Sequence, residues 1–173
     1  AKGWVSSAAH NLESSGFKTY GVTPAEAALM VGYTQNAYDQ LNRQIRAGVM
    51  SEKNHLMENG LNAALAKLPD YKGTTYRRAN NVANLDMYSA GMIIEERAFT
   101  SSSKLGEFKE SGAVRYTIKS ETGKDITKIS HYGTSESEVL FRSGTRFRVT
   151  KVSPGKEYGM AYTEVHMEEV RGR

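Results

Sequence analysis

Two carboxylates two residues apart, Glu136 and Glu138, close a polar loop and open an apolar run: Tyr132-Gly133-Thr134-Ser135-Glu136-Ser137-Glu138-Val139-Leu140-Phe141. On an extended chain, residues i and i+2 share a face. The pair is therefore expected to project together, with Val139 and Phe141 on the opposite side. Like charges held close raise the free energy of the ionised pair. A chain tolerates that on a solvated edge, or where chemistry needs both groups. Carboxylates so placed can act as general bases and can stabilise positive charge developing on a sugar. Two further clusters could work with them. Tyr76-Arg77-Arg78 sets an arginine fork on a β-prone run, suited to phosphate or to bracing a carboxylate. Phe99-Thr100-Ser101-Ser102-Ser103 supplies three hydroxyls able to orient neighbouring carboxylates. Taken singly, each has an ordinary explanation: a solvated strand start, a surface arginine pair, a polar strand end.

Other chemistries find little support. His10, His55, His131 and His166 show no metal-ligand spacing, so no metal is expected. There is no Gly-x-Ser-x-Gly elbow, no phosphate loop and no Gly-x-Gly-x-x-Gly fingerprint. The absence of cysteine excludes disulfides, thiolate metal sites and a cysteine nucleophile. A net charge of +4 permits an anionic partner. The charge is spread along the chain, however, and Lys104, Lys109, Arg115, Arg142, Arg146 and Arg148 form no known nucleic-acid motif. No apolar run reaches the ~18–20 residues that span a bilayer, so no stable membrane association is expected from this domain. No signal peptide is visible, and the chain begins at Ala1 without Met, which reads as a processed or excised domain.

The elements that must position these residues change character along the chain. Residues 1–22, with the only Trp, Trp4, have poor periodicity. Thr23-Pro24-Ala25-Glu26 starts a helix by capping box and N1 proline, running to Val31. A second helix is predicted over Asn36 to Ala47, with an apolar stripe at Tyr38, Leu41 and Ile45 and a stop at Gly48. A third is predicted from Ser51 to Lys67, ended by Pro69. Short strands follow: Thr74 to Arg78, Ala98 to Ser103, an alternating Val114, Tyr116, Ile118, and a weaker one marked by Ile126 and Ile129. A brief helix is predicted from Asn81 to Tyr88. Val139–Arg142 and Arg146–Val152 read as a hairpin around Ser143-Gly144-Thr145, and Pro154-Gly155 as the turn into a last strand, Tyr158 to Glu169. Helices first and strands afterwards argue for an α+β fold in a single domain over 1–173.

The ordered set of aromatic-Arg, Phe-x-Ser-x-Ser and Glu-x-Glu resembles the bacterial mono-ADP-ribosyltransferase toxins of the arginine-directed Arg–Ser-Thr-Ser–Glu-x-Glu class. Gly32-Tyr33-Thr34, Tyr38, Leu41-Asn42 and Arg46-Ala47-Gly48 look like that family's helical segment, and the match spans roughly residues 23–152. The resemblance implies two small, mainly antiparallel sheets flanking an NAD-binding cleft. It implies transfer of ADP-ribose from NAD to a protein arginine, with release of nicotinamide. Position by position it implies that Glu138 is the catalytic glutamate and Glu136 the upstream glutamate that supports transfer to arginine. Ser101 would orient Glu138, and Arg77 would hold NAD and support the site. Arg78 and Arg115 would be further cofactor contacts, Phe108 would lie in the segment covering the phosphates and nicotinamide, and Tyr132 would carry the aromatic of the substrate-recognition turn. Two departures stand out: Ser102 replaces the middle Thr, and Arg78 replaces a small residue. The acceptor protein is not written in the chain, and actin, small GTPases and competitor proteins all fit. The resemblance further implies a secreted or injected enzyme working in the cytosol of a target cell, with a larger toxin chain, delivery partner or immunity protein. NAD glycohydrolysis on the same fold is the alternative, and a basic nucleic-acid module a remote one.

Overall fold

A computed structural model describes residues 20–106, 113–130 and 133–171 of the chain. Its helical layer begins where local chemistry demands. The Thr23 hydroxyl accepts from the Glu26 N–H at 3.2 Å, the Glu26 carboxylate accepts from the Thr23 N–H at 2.8 Å, and Pro24 takes the first helical position. Helix α1, Pro24–Gly32, then runs through a π-helical turn, Tyr33–Ala37, straight into α2, Tyr38–Ala47. The two predicted helices are thus one helical run with a π-helical insertion, a device frequent at functional sites. Gly48, at φ 69°, takes the left-handed conformation that closes it. Ser51 caps α3, Glu52–Ala66. α1 packs on α3 closely enough that a Cβ on Gly60 would lie 2.8 Å from Leu29 Cδ1. No described helix is long and apolar enough to cross a membrane.

Seven strands follow among the described residues: β1 Asp70–Ala79, β2 Ile93–Glu96, β3 Thr100–Ser103, β4 Val114–Asp125, β5 Glu138–Phe141, β6 Thr145–Glu157 and β7 Met160–Glu169. They form two arrays. The longer is β1-β4-β7-β6-β2, and the shorter is the pair β3-β5. β3 joins β1 at Tyr76–Ser103, and β5 joins the end of β4 at Lys124–Leu140 and Asp125–Val139, so the two arrays are hydrogen-bonded into one mixed sheet. Every pairing is antiparallel except β4–β7, which is parallel. The α+β architecture with mainly antiparallel strands is the one expected.

Four local expectations are corrected. β5 and β6 share no ladder among the described residues, because β3 and β4 occupy the edges of β5 while β7 and β2 occupy those of β6. The turn at Ser143-Gly144 is therefore a crossing between arrays, pinned by Gly144 N–H to the Glu96 carbonyl at 2.9 Å. Pro154-Gly155 lies inside β6, beyond its contact with β2, where one edge is open and a proline is tolerated. The real turn is Tyr158-Gly159, both at positive φ (48° and 80°). Ile126 and Ile129 form a buried turn rather than a strand, and the stretch from Asn81 to Tyr88 holds one 3-10 turn, Leu85–Met87.

Among the described residues two hydrophobic cores result, and β5 lies between them. One gathers Met30, Tyr33, Leu41, Leu61, Leu65, Phe99, Ile126, Ile129 and Leu140 under the helices. The other gathers Val114, Ile118, Val139, Phe141, Phe147, Val149 and Val165 within the strands. Leu140 thus enters one core and Val139 and Phe141 the other, as the alternation of a strand requires. Gly123 on β4 makes room for this: a Cβ there would sit 2.8 Å from Val139 Cγ1 and 2.9 Å from the Phe141 ring. Below, Lys124 is buried with its Nζ 2.7 Å from the Leu68 carbonyl and 2.7 Å from Asp70 Oδ1, tying the segment after α3 to β1 and β4.

Candidate active site

Glu138 is the first residue of β5 and is 5% exposed. A carboxylate so buried requires donors. Ser101 Oγ, on β3, donates to Oε1 at 2.6 Å, and Ser130 Oγ donates to Oε2 at 3.1 Å. Burial pushes the Glu138 carboxyl above its ordinary 4.5, and the neighbouring Glu136 adds to this, while the two hydroxyls pull the other way. The result is a carboxylate fixed at both oxygens in a largely dry setting, where its charge acts at close range.

Ser101, Ser102 and Ser103 divide the work of joining β3 to the Glu-x-Glu stretch. In register, Ser101 faces Leu140, Ser102 faces Val139 and Ser103 faces Glu138. Ser101 holds the Glu138 side chain. Ser102 Oγ donates to the Val139 carbonyl at 2.9 Å on the other face. Ser103 Oγ donates to the Glu136 carbonyl at 2.5 Å and accepts from the Leu105 N–H at 3.0 Å.

Glu136 does not lie on the strand. A 3-10 turn, Gly133–Ser135, precedes it, and Ser137 at φ 45° reverses the backbone before β5 begins. The i, i+2 geometry of an extended chain therefore does not apply, which corrects the expectation that the two carboxylates project together from a strand. Glu136 is exposed and Glu138 is buried. The turn is anchored by Ser103, by Lys104 N–H to the Ser137 carbonyl at 3.0 Å, and by Ser137 Oγ to the Thr134 carbonyl at 3.1 Å. The Lys104 ammonium in turn reaches Asp125 Oδ2 at 2.7 Å.

Arg77 is half-buried and donates from Nη1 to the Ser101 carbonyl at 3.0 Å, bracing β3 at the serine that holds Glu138. Burial, and then the neighbouring Arg46, draw its pKa below the ordinary value. Arg78 points to the opposite face of β1, since successive strand residues alternate. It stands in register with Arg115 on β4. That face also carries Tyr76, which is aligned with Ser103 and through it with Glu138. Arg77 also neighbours Tyr33 and Arg46 of the helical layer, and Tyr33 in turn neighbours Glu138. Arg115 is paired with Glu157 and lies 3.8 Å over the Tyr162 ring. Phe108 and Tyr132 lie outside the described residues.

Some of the supporting residues carried no recognisable signal. Ser130 sits in an ordinary Ile-Ser-His stretch eight residues before Glu138. Asn42, noted above beside Leu41 in the helical segment, has bonds that its sequence position did not reveal. Its Oδ1 accepts from the Phe99 N–H at 3.1 Å and its Nδ2 donates to Tyr33 Oη at 2.9 Å, joining the π-helical turn to the start of β3. Tyr33 stacks edge-on against Phe99 at 5.4 Å, and burial raises its pKa, with the Glu138 charge contributing. Arg46 pairs with Glu96 at 3.1 Å, and the same Glu96 oxygen accepts from the Ala98 N–H at 3.2 Å. A surface depression of about 720 Å³, lined by Asn80, Val82, Leu85, Val114, Pro154 and Tyr162 among others, includes none of Ser101, Ser130, Glu136 or Glu138. Among the described residues no group of three or more His, Asp or Glu is arranged to hold a metal ion.

Comparison with known proteins gives one consistent answer. The family model for the ADP-ribosyltransferase exoenzyme matches residues 1–170. Mav of Mycobacterium avium, which bears an NAD+–arginine ADP-ribosyltransferase name, is 32% identical over 145 residues, covering 81% of this chain and 18% of its own. The NAD+–protein-arginine ADP-ribosyltransferase Tre1 of Pseudomonas putida is 33% identical over 132 residues, covering 74% of this chain and 26% of its own. The chain thus spans about a fifth to a quarter of these two relatives. The solved structure of the ADP-ribosyltransferase Vis in complex with agmatine superposes with a TM-score of 0.72 at 25% identity, covering 98% of this chain and 86% of that one. Vis comes from Vibrio splendidus. With a match running over nearly its whole length and a fold shared to the same extent, this chain belongs to the ADP-ribosyltransferase exoenzyme family.

Proposed function

We propose that this chain transfers ADP-ribose from NAD to an arginine side chain of a target protein and releases nicotinamide. The observation that carries the reading is the asymmetry of the two glutamates: one buried and fixed by two hydroxyls, the other exposed on a turn two residues earlier. The reaction needs both kinds of group. Breaking the bond between the ribose C1′ and the nicotinamide nitrogen sends the electron pair to nicotinamide and leaves positive charge on the sugar, as in glycoside cleavage. A fixed carboxylate in a dry site stabilises that charge without reorganising, and this is the role assigned to Glu138, oriented by Ser101. The incoming guanidinium is protonated and poorly nucleophilic. Glu136 is assigned to orient it and take its proton as the new C1′–N bond forms. Agmatine in the Vis complex is itself a guanidinium compound, which supports an acceptor of that chemistry.

Arg77 is assigned to hold NAD and to support the site, which its bond to the Ser101 carbonyl supports, and Arg78 and Arg115 are assigned as further cofactor contacts. Phe108 is assigned to the segment over the dinucleotide and Tyr132 to acceptor recognition. The long relatives support reading the chain as the catalytic domain, over 1–173, of a larger secreted or injected toxin. Its action would then fall in the cytosol of a target cell, with actin among the candidate acceptors and an immunity protein among the candidate partners.

The test is incubation with labelled NAD and a cell lysate, comparing the wild type with Glu138→Ala and Glu136→Gln. A labelled protein band that Glu138→Ala abolishes, together with nicotinamide release, supports the reading. Glu136→Gln is expected to lose transfer while keeping most NAD hydrolysis, and equal loss of both activities would defeat the division of labour. Nicotinamide release without any labelled protein or agmatine would favour a glycohydrolase. Folded protein with neither activity would refute the proposal outright.

A further inference from the structure

We propose that Ser130 is a positioning residue for Glu138, the second half of a two-hydroxyl cradle that couples the start of the acceptor turn to the buried carboxylate. The inference rests on the role assigned to Glu138 above.

The placement of Ser130 is built. Ile126 N–H donates to the carbonyl of Glu138 itself at 3.0 Å. Ile126 and Ile129, 0% and 3% exposed, root the turn in the core beneath the helices. Ser130 N–H closes the turn on the Ile126 carbonyl at 2.7 Å, and Ser130 Oγ reaches Glu138 Oε2 at 3.1 Å. The bracket thus starts on the backbone of Glu138 and returns to its side chain. Ser130 is itself 8% exposed, so water has little access to replace its hydroxyl.

Ser101 alone leaves a carboxyl free to rotate about the bond to its Cγ. A donor on each oxygen fixes the plane of the carboxylate, and that plane decides which oxygen meets the sugar. The groups that face Glu138 are Ser101 from β3, Ser130 and Glu136 from the turn segment, and Tyr33 from the helical layer. The hydroxyls are what favour the ionised form against burial and the like charge of Glu136.

Two readouts test this, one of them independent of turnover. The first is an NMR titration of side-chain carboxyl carbons in protein labelled at glutamate, with the Glu138 signal assigned by its loss in Glu138→Gln. A hydrogen bond to a charged acceptor is worth roughly a tenfold factor in an equilibrium. Ser130→Ala should therefore raise the titration midpoint of Glu138 by about one pH unit, and Ser130→Thr, which keeps the hydroxyl, should restore it. The second is nicotinamide release. Ser130→Ala should lower kcat about tenfold with KM for NAD changed less than about threefold, and should move the acidic limb of the pH profile upward. A midpoint unmoved in Ser130→Ala, or moved equally in Ser130→Thr, overturns the inference whether or not the wild type turns over. An inactive wild type with the midpoint shifted as expected would sink the proposed activity and leave the cradle standing.

Discussion

Ser103→Ala separates the two glutamates without touching either. The hydroxyl makes two hydrogen bonds, one to the Glu136 carbonyl and one from the Leu105 N–H. Each is worth about 1 kcal/mol net, so their loss amounts to about 2 kcal/mol if nothing replaces them. At about 1.4 kcal/mol per decade, complete expression of that loss in the placement of Glu136 would slow transfer about thirtyfold, and expression of half of it about fivefold. The bonds that fix Glu138, from Ser101 and Ser130, and the bond from Ser102 to Val139 remain. NAD hydrolysis should therefore stay within about twofold of wild type. The assay is nicotinamide release with and without agmatine as a guanidinium acceptor, alongside quantified ADP-ribosyl-agmatine. The same loss should lower Tm by about 4–8 °C. Hydrolysis falling in step with transfer would refute the reasoning, for it would mean that Ser103 supports the whole strand pair and not the turn.

Glu138→Gln should remove both activities yet melt at a higher temperature than wild type at pH 7–8. A carboxyl whose pKa is raised in the fold binds more protons there than when unfolded, so its ionisation costs stability as pH rises above the ordinary 4.5. The gap in Tm should close as the pH falls to that value, and a gap that widened would reverse the assignment. Gly123→Ala should destabilise by roughly 1–3 kcal/mol, because the new methyl meets buried Val139 and Phe141. Activity measured below Tm should fall with it, since β5 carries Glu138; an unchanged Tm would show that the two strands can part. Lys124→Ala should cost roughly 3–5 kcal/mol by denaturant unfolding, against about 1 kcal/mol or less for Asp70→Asn at the more exposed end of the pair. Equal losses would mean that the Leu68 carbonyl contributes nothing.

The parts of this molecule visible in its sequence are those fixed by neighbours in the chain. The Thr23–Glu26 capping box, the Gly48 stop and the alternation of Val114, Tyr116 and Ile118 are local chemistry, and each gives its element directly. The three motif clusters were also legible, because their residue types are unusual together. What escaped depends on distant partners. Ser143-Gly144 has hairpin chemistry, yet the strands flanking it are claimed by β3, β4, β7 and β2. The parallel pairing of β4 with β7 leaves no local trace. Tyr158-Gly159 turns the chain although tyrosine is no turn former, because β6 and β7 must reverse there. Lys124 is buried by partners more than fifty residues away, Leu68 and Asp70, which no local pattern signals. Ser130 gains its meaning only when the turn rooted by Ile126 and Ile129 folds back upon Glu138.

β5 is hydrogen-bonded on both edges and walled by a core on either side, whereas Glu136, two residues earlier, sits on an exposed turn. Amide exchange should register this as a step across Ser137. The amides of Val139 and Leu140 can meet solvent only when the whole domain opens, and those of the turn can do so by local fluctuation. The carboxylate assigned to the sugar is then as durable as the fold itself. The carboxylate assigned to the acceptor rests on an exposed turn that can vary, in sequence and in shape, without loosening the first, so under the proposed reading acceptor preference can drift while the bond-breaking half of the site stays fixed.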